Sequence, residues 1–246
     1  MTARELYQAG KLKEAIAALN VEVRDNPADV RRRTFLFELL AFAGEYDRAE
    51  KQLHILADAS DEAKLATVLY RASLHAEKTR KDLFIKKDFP AKAGDSDGDL
   101  KGTINGQPFE SLVDGDPTIG PRLEAYAAGA YIWIPYKHIE SIECEAPKRV
   151  RDLLWIPALV KTGPAFKMME LGEVLLPALT WDASSADDEQ VKLGRMTNWI
   201  EDGEIVKPIG QKTLLADGED IPMLEVRKIE FARAPEPDEP GSEAEA

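Results

Sequence analysis

At 246 residues the chain exceeds a usual single domain and points to two, and its 44% apolar content suffices for a core in each half, while a single cysteine, Cys144, excludes an intrachain disulfide or a Cys-rich metal site. No run approaches the ~18–20 apolar residues of a membrane helix, and Met1-Thr2-Ala3-Arg4-Glu5-Leu6 lacks a signal-like apolar stretch, so the expected location is the cytoplasm, with no membrane partner. The net charge of −13 lies in the back: residues 1–90 hold 16 Lys+Arg against 15 Asp+Glu, residues 91–246 the remaining 16 against 30, a balance that argues against nucleic acid.

The first elements repeat. Gly10-Lys11-Leu12-Lys13-Glu14-Ala15 returns as Gly44-Glu45-Tyr46-Asp47-Arg48-Ala49, 34 residues later, and Leu6, Ala9 and Leu19 return as Leu40, Ala43 and Leu53. That is the period of tetratricopeptide (TPR) helix pairs. Gly permits the tight turn, Ala keeps the helices close, and Asn26-Pro27 ends the first pair. The second pair reads as about Val30 to Phe42 and Tyr46 to Ala57. A third, decayed unit begins with an amphipathic helix from Glu62 to His75, with Lys78 where the turn Gly should stand. An ordinary helical bundle is the competing reading. In the TPR register Arg31, Thr34 and Glu38 of the second unit and Leu65, Val68 and Ala72 of the third line a partner-binding groove. Leu65 and Val68 packing on the back domain is the alternative.

From Phe89 to about Lys101 the chain is rich in Pro, Gly and Asp and reads as a linker. Beyond it, short apolar runs alternate with turns. Gly102-Thr103-Ile104 runs into an Asn105-Gly106 turn, and Leu123 to Tyr126 and Ala130 to Ile134 form strands joined at Ala128-Gly129. His138 to Glu143, Gly172 to Leu176, Leu214-Leu215 and Met223 to Phe231 are further strands, the last with a possible bulge. Ala186 to Trp199 reads as a helix capped by Ser184 or Ser185. The expected organisation is α+β: TPR-like helical repeats over 1–88, a linker over 89–100, a mixed domain with a curved antiparallel sheet over 101–232, and a disordered acidic tail over 233–246.

Chemistry is sparse. Asp95 to Asp99 resembles the start of a calcium loop, but Leu100 and Gly106 stand where Gly and Glu are required. Asp114-Gly115-Asp116-Pro117 reads as turn chemistry, with a hydrolase using Asp114, Asp116 and His138 as the rival. Cys144 ends an alternating strand and reads as a buried thiol. Arg151 to Trp155 and Leu193 to Trp199 either form a binding face or close the core, with Arg151 and Arg195 paired to acids such as Asp152, Asp188 or Glu225; the structural reading is preferred. No cofactor and no metal is expected.

Residues 100–231 carry an ordered series of motifs: Gly102 to Gly106 with Phe109, Asp114-Gly115-Asp116, Gly129 to Pro135, Arg151 to Trp155, Leu175-Leu176-Pro177, Leu193 to Trp199, Gly210-Gln211-Lys212 and Leu224 to Phe231. The series resembles the ImpE family, also called TagJ or SciE-type proteins, accessory components of bacterial type VI secretion. One departure is that Leu179 or Trp181 stands where the family carries an aromatic soon after Pro177. The resemblance implies a non-enzymatic adaptor with no catalytic residues. It also implies a partner in the N-terminal helix of the small subunit of the contractile sheath, and work alongside the ClpV-type ATPase that recycles the sheath.

Overall fold

The computed structural model describes residues 1–58, 61–90, 100–163 and 171–232. The Asp95 to Asp99 stretch, most of the expected linker and the acidic tail lie outside the described residues.

Five helices open the chain: α1 (Ala3–Gln8), α2 (Leu12–Asp25), α3 (Val30–Phe42), α4 (Tyr46–Ala57) and α5 (Asp61–Lys86). Thr2 and Glu5 form a capping box at the start of α1, and the Asp29 carboxylate caps α3. Gly10 and Gly44 turn the chain between helices at φ of 79° and 69°, a conformation that costs Gly nothing. In α2 the buried Leu12, Ala15, Ile16, Leu19 and Val23 recur every three or four residues and give it one apolar face. In α3, by contrast, every residue from Leu36 to Phe42 is buried, because neighbours pack on all sides. The decayed third unit is no pair: α5 runs unbroken for 26 residues, with Lys78 inside it, joined to Asp47 and Glu50 of α4 at 2.9 and 2.8 Å.

The strands are β1 (Gly102–Ile104), β2 (Gln107–Phe109), β3 (Leu112–Asp114), β4 (Arg122–Ala127), β5 (Ala130–Pro135), β6 (Ile139–Cys144), β7 (Trp155–Thr162), β8 (Gly172–Pro177), β9 (Thr197–Asp202), β10 (Ile205–Gly210), β11 (Thr213–Ala216), β12 (Glu219–Pro222) and β13 (Lys228–Phe231). Eight form an antiparallel sheet in the order β2-β1-β13-β6-β7-β8-β4-β5, β12-β11-β3 form a smaller one, and β9 and β10 stand as a hairpin. Asn105-Gly106 and Ala128-Gly129 both carry paired positive φ angles, the geometry of tight two-residue hairpins. The expected helix over 186–199 shrinks to α6 (Glu189–Lys192), capped by Asp188 and followed by Gly194 at φ 65°. Thr197 to Trp199 instead enter β9 and pair with β10, so cross-strand hydrogen bonds replace the helical ones.

Alternation along the strands divides two cores. Leu123, Ala125, Ile134, Ile156, Ala158 and Val160 face the smaller sheet. Tyr126, Tyr131, Trp133 and Trp155 face the helices and share one continuous core with Phe37, Leu40, Leu53, Leu74 and Phe84. The helical layer is therefore fused to the sheet by aromatic packing, with each buried large side chain contributing about 1.5–3 kcal/mol.

Candidate functional site: the helical layer and its seam with the sheet

The seam is built from the faces of α1, α3 and α5. Phe37 of α3 lies 5.2 Å from the Tyr70 ring and 6.1 Å from Trp155. Arg151 stacks over Tyr70 at 5.1 Å and donates to its hydroxyl. Farther along α5, Phe84 stacks on Trp181 at 5.2 Å, and Phe89, just past the end of that helix, stacks on Trp133 at 5.5 Å. At the other end Arg195 donates to the Tyr7 and Gln8 carbonyls that close α1 and stacks on the Tyr7 ring, rather than pairing with an acid. Glu189 accepts from the backbone N–H of Lys13, capping α2 from across the seam. Both turn glycines are used here as well: a methyl group at Gly10 would run into the Gln190 side chain, and one at Gly44 would meet Ser184.

At the centre of the seam lies a buried charge cluster that sequence reading missed. Arg80, 1% exposed, clamps both oxygens of Glu124 at 2.8 Å and donates to the Leu179 carbonyl at 3.0 Å. Lys212 joins Glu124 to Asp114. Tyr131 donates to Glu124 and Trp133 donates to Tyr131. Burial opposes the charge on Glu124, but the Arg80 and Lys212 cations overcome it and hold the carboxyl low. Burial pushes Asp114 up, against the pull of Lys212. A signal existed: Ser73, Glu77, Arg80 and Phe84 follow one helical stripe, and Glu124 interrupts an apolar run.

The sequence-derived groove residues differ in exposure. Glu38 is 8% exposed, and burial raises its carboxyl to about 7 despite the nearby Arg151. Ala72 packs under the β4–β5 turn, its Cβ 3.3 Å from where a side chain at Gly129 would begin. Thr34 bonds back to the Val30 carbonyl at 2.8 Å, and Arg31 is exposed. Leu65 and Val68 do not pack on the sheet: they are 74% and 56% exposed and, with Leu69 at 69%, form an open apolar stripe on the first turns of α5. Lys64 is exposed beside them, and one turn further on Arg71 meets His54 at 3.3 Å.

The hydrolase residues serve other ends. Asp114 pairs with Lys212 and accepts from the Asp116 N–H at 2.9 Å, while Asp116 accepts from the Thr118 N–H at 2.9 Å, a turn built from Asp side chains. His138 closes the short turn between β5 and β6. Burial pushes the Cys144 thiol up to about 11, which keeps it protonated at neutral pH. Among the described residues no cluster of three metal-ligating side chains occurs, and no helix is long and apolar enough to cross a membrane.

The chain is 29% identical to the type VI secretion system accessory component TagJ of Pseudomonas aeruginosa, over 94% of this chain and 91% of that protein. Its fold is that of protein VPA1032 from Vibrio parahaemolyticus, whose crystal structure matches with a TM-score of 0.83 at 20% identity, covering 94% of this chain and 98% of the other. The model of the ImpE protein family matches residues 106–230, from the β1–β2 turn into β13, and the chain belongs to the ImpE family.

Proposed function

We propose that this chain is a cytoplasmic, non-enzymatic adaptor of a bacterial type VI secretion system that docks the N-terminal helix of the small sheath subunit and assists sheath handling with the ClpV-type ATPase. The observation that carries this reading is the apolar stripe of Leu65, Val68 and Leu69, exposed on a helix whose opposite face is locked into the core. An amphipathic helix lays an apolar stripe against such a surface, and Lys64 and Arg71 favour acidic flanks on the incoming helix. The helical layer acts here in the manner of a TPR-like scaffold, with Arg31 and Thr34 on the outer part of α3 and Glu38 and Ala72 holding the scaffold to the sheet. Pull-down of the full chain by an immobilised sheath-subunit N-terminal peptide tests this. Leu65→Asp and Val68→Asp are expected to abolish capture and Arg31→Glu to weaken it; undiminished capture by folded Leu65→Asp and Val68→Asp chains refutes the site.

A further inference from the structure

One turn before Arg80 on the buried stripe of α5, Glu77 lines a small cavity in the seam. The cavity measures about 20 Å³ and lies between the α3–α4 turn, α5 and the chain that follows β8, with Phe42, Tyr46, Trp155, Leu179 and Trp181 among its walls. Its polar rim is incompletely paired. Glu77 Oε1 accepts from Trp155 Nε1 at 3.1 Å. Glu77 Oε2 lies 3.9 Å from Arg80, an ion-pair contact too long for a hydrogen bond. The indole Nε1 of Trp181 is buried and meets no acceptor among the described residues. Its ring is held in place, with Phe84 stacked on it at 5.2 Å and the Lys207 ammonium over it at 5.0 Å. Burial and the Glu77 carboxylate both push the Tyr46 hydroxyl up, so that it stays a protonated donor on the same rim.

Size and chemistry together select an occupant. A space of roughly 10–15 Å³ admits one water, so a cavity of about 20 Å³ holds one and excludes a second, as it excludes any organic ligand. Trp181 calls for an acceptor and Glu77 Oε2 for a donor, and residues that line so small a space lie within reach of a single water. A monovalent cation would meet the carboxylate but cannot accept from the indole, and Arg80 already supplies positive charge there. A chloride would accept from Trp181 but would stand against the Glu77 carboxylate.

We propose that one ordered water occupies this cavity as a fixed part of the seam, accepting from Trp181 Nε1 and donating to Glu77 Oε2, with the Tyr46 hydroxyl as its third partner. It would tie α4, α5 and the chain after β8 at one point. Arg80 makes the neighbouring tie through the Leu179 carbonyl at 3.0 Å. The site involves no residue of the exposed α5 stripe and does not depend on any partner.

The test reads the Trp181 indole proton in the full chain labelled with nitrogen-15, its resonance assigned by its loss in Trp181→Phe. A cross-peak between this proton and water is expected, with opposite signs in laboratory-frame and rotating-frame experiments, the mark of through-space transfer to a long-lived water rather than chemical exchange. Ala183→Val adds two methyl groups to the cavity wall and is expected to erase it. Circular dichroism checks that this variant folds. A high-resolution crystal structure of the parent chain, which needs no variant, should show one density peak within about 2.7–3.2 Å of both Trp181 Nε1 and the Glu77 carboxylate. No cross-peak in the parent, a cross-peak retained in folded Ala183→Val, or no density at that point overturns the proposal. An anomalous peak there in crystals soaked in rubidium chloride would assign the site to a cation and overturn it equally.

Discussion

Glu38→Gln should stabilise this protein above neutral pH. Glu38 is buried on α3 beside the Arg149 to Asp152 segment and Tyr7, and burial raises its carboxyl from 4.5 to about 7, more than Arg151 lowers it. A carboxyl whose folded value lies above its unfolded value binds its proton more tightly in the folded state. Stability therefore falls as pH rises from about 4.5 to 7, and the full loss persists above 7. A tenfold change in proton affinity corresponds to about 1.4 kcal/mol, so the ionised group costs about 3 kcal/mol at pH 8. Gln keeps the shape and can still accept from the Arg151 N–H, but it carries no charge to desolvate. Urea unfolding should show Glu38→Gln more stable than the parent by up to about 3 kcal/mol at pH 8, with the difference nearly gone at pH 4.5. If the variant is less stable at pH 8, the attraction of Arg151 and Arg149 outweighs burial and the reasoning fails.

Other perturbations separate the parts of the seam. Arg80→Met leaves Glu124 with Lys212 as its one cation in the interior, and urea unfolding should register a loss of about 3–5 kcal/mol. Gly10→Ala must bear both φ 79° and the Gln190 side chain, whereas Gly106→Ala meets nothing within 4 Å at φ 82°. Strain alone costs about 1–3 kcal/mol, so thermal unfolding should show Gly10→Ala the more destabilised of the two. Leu65→Asp removes an exposed side chain and should change unfolding stability by no more than about 0.5 kcal/mol. That outcome qualifies it as a probe of binding alone.

Local chemistry made much of this fold legible. The ends of α2 and α3 follow from Asn26-Pro27 and the turn at Gly44, and two hairpins follow from Asn105-Gly106 and Ala128-Gly129. Where the outcome depended on distant residues, the sequence was ambiguous. Lys78 looked like a failed turn because its partners, Asp47 and Glu50, lie a helix away. Thr197 to Trp199 looked helical until β10 supplied a strand to pair with. The groove residues were chosen by repeat register, which cannot foresee that the sheet covers the inner face of α3 and buries Glu38 while leaving Leu65 and Val68 open. Arg80 and Glu124 are 44 positions apart, and neither alone reveals that one pair joins the two layers.

The central claim is that the first turns of α5 receive a partner helix, and it is tested most directly by titrating a labelled N-terminal peptide of the small sheath subunit into the full chain and into Leu65→Asp/Val68→Asp. Saturable binding to the parent chain that weakens at least tenfold in the folded double variant is the predicted result. Equal affinity for both proteins, or no binding to either, contradicts it.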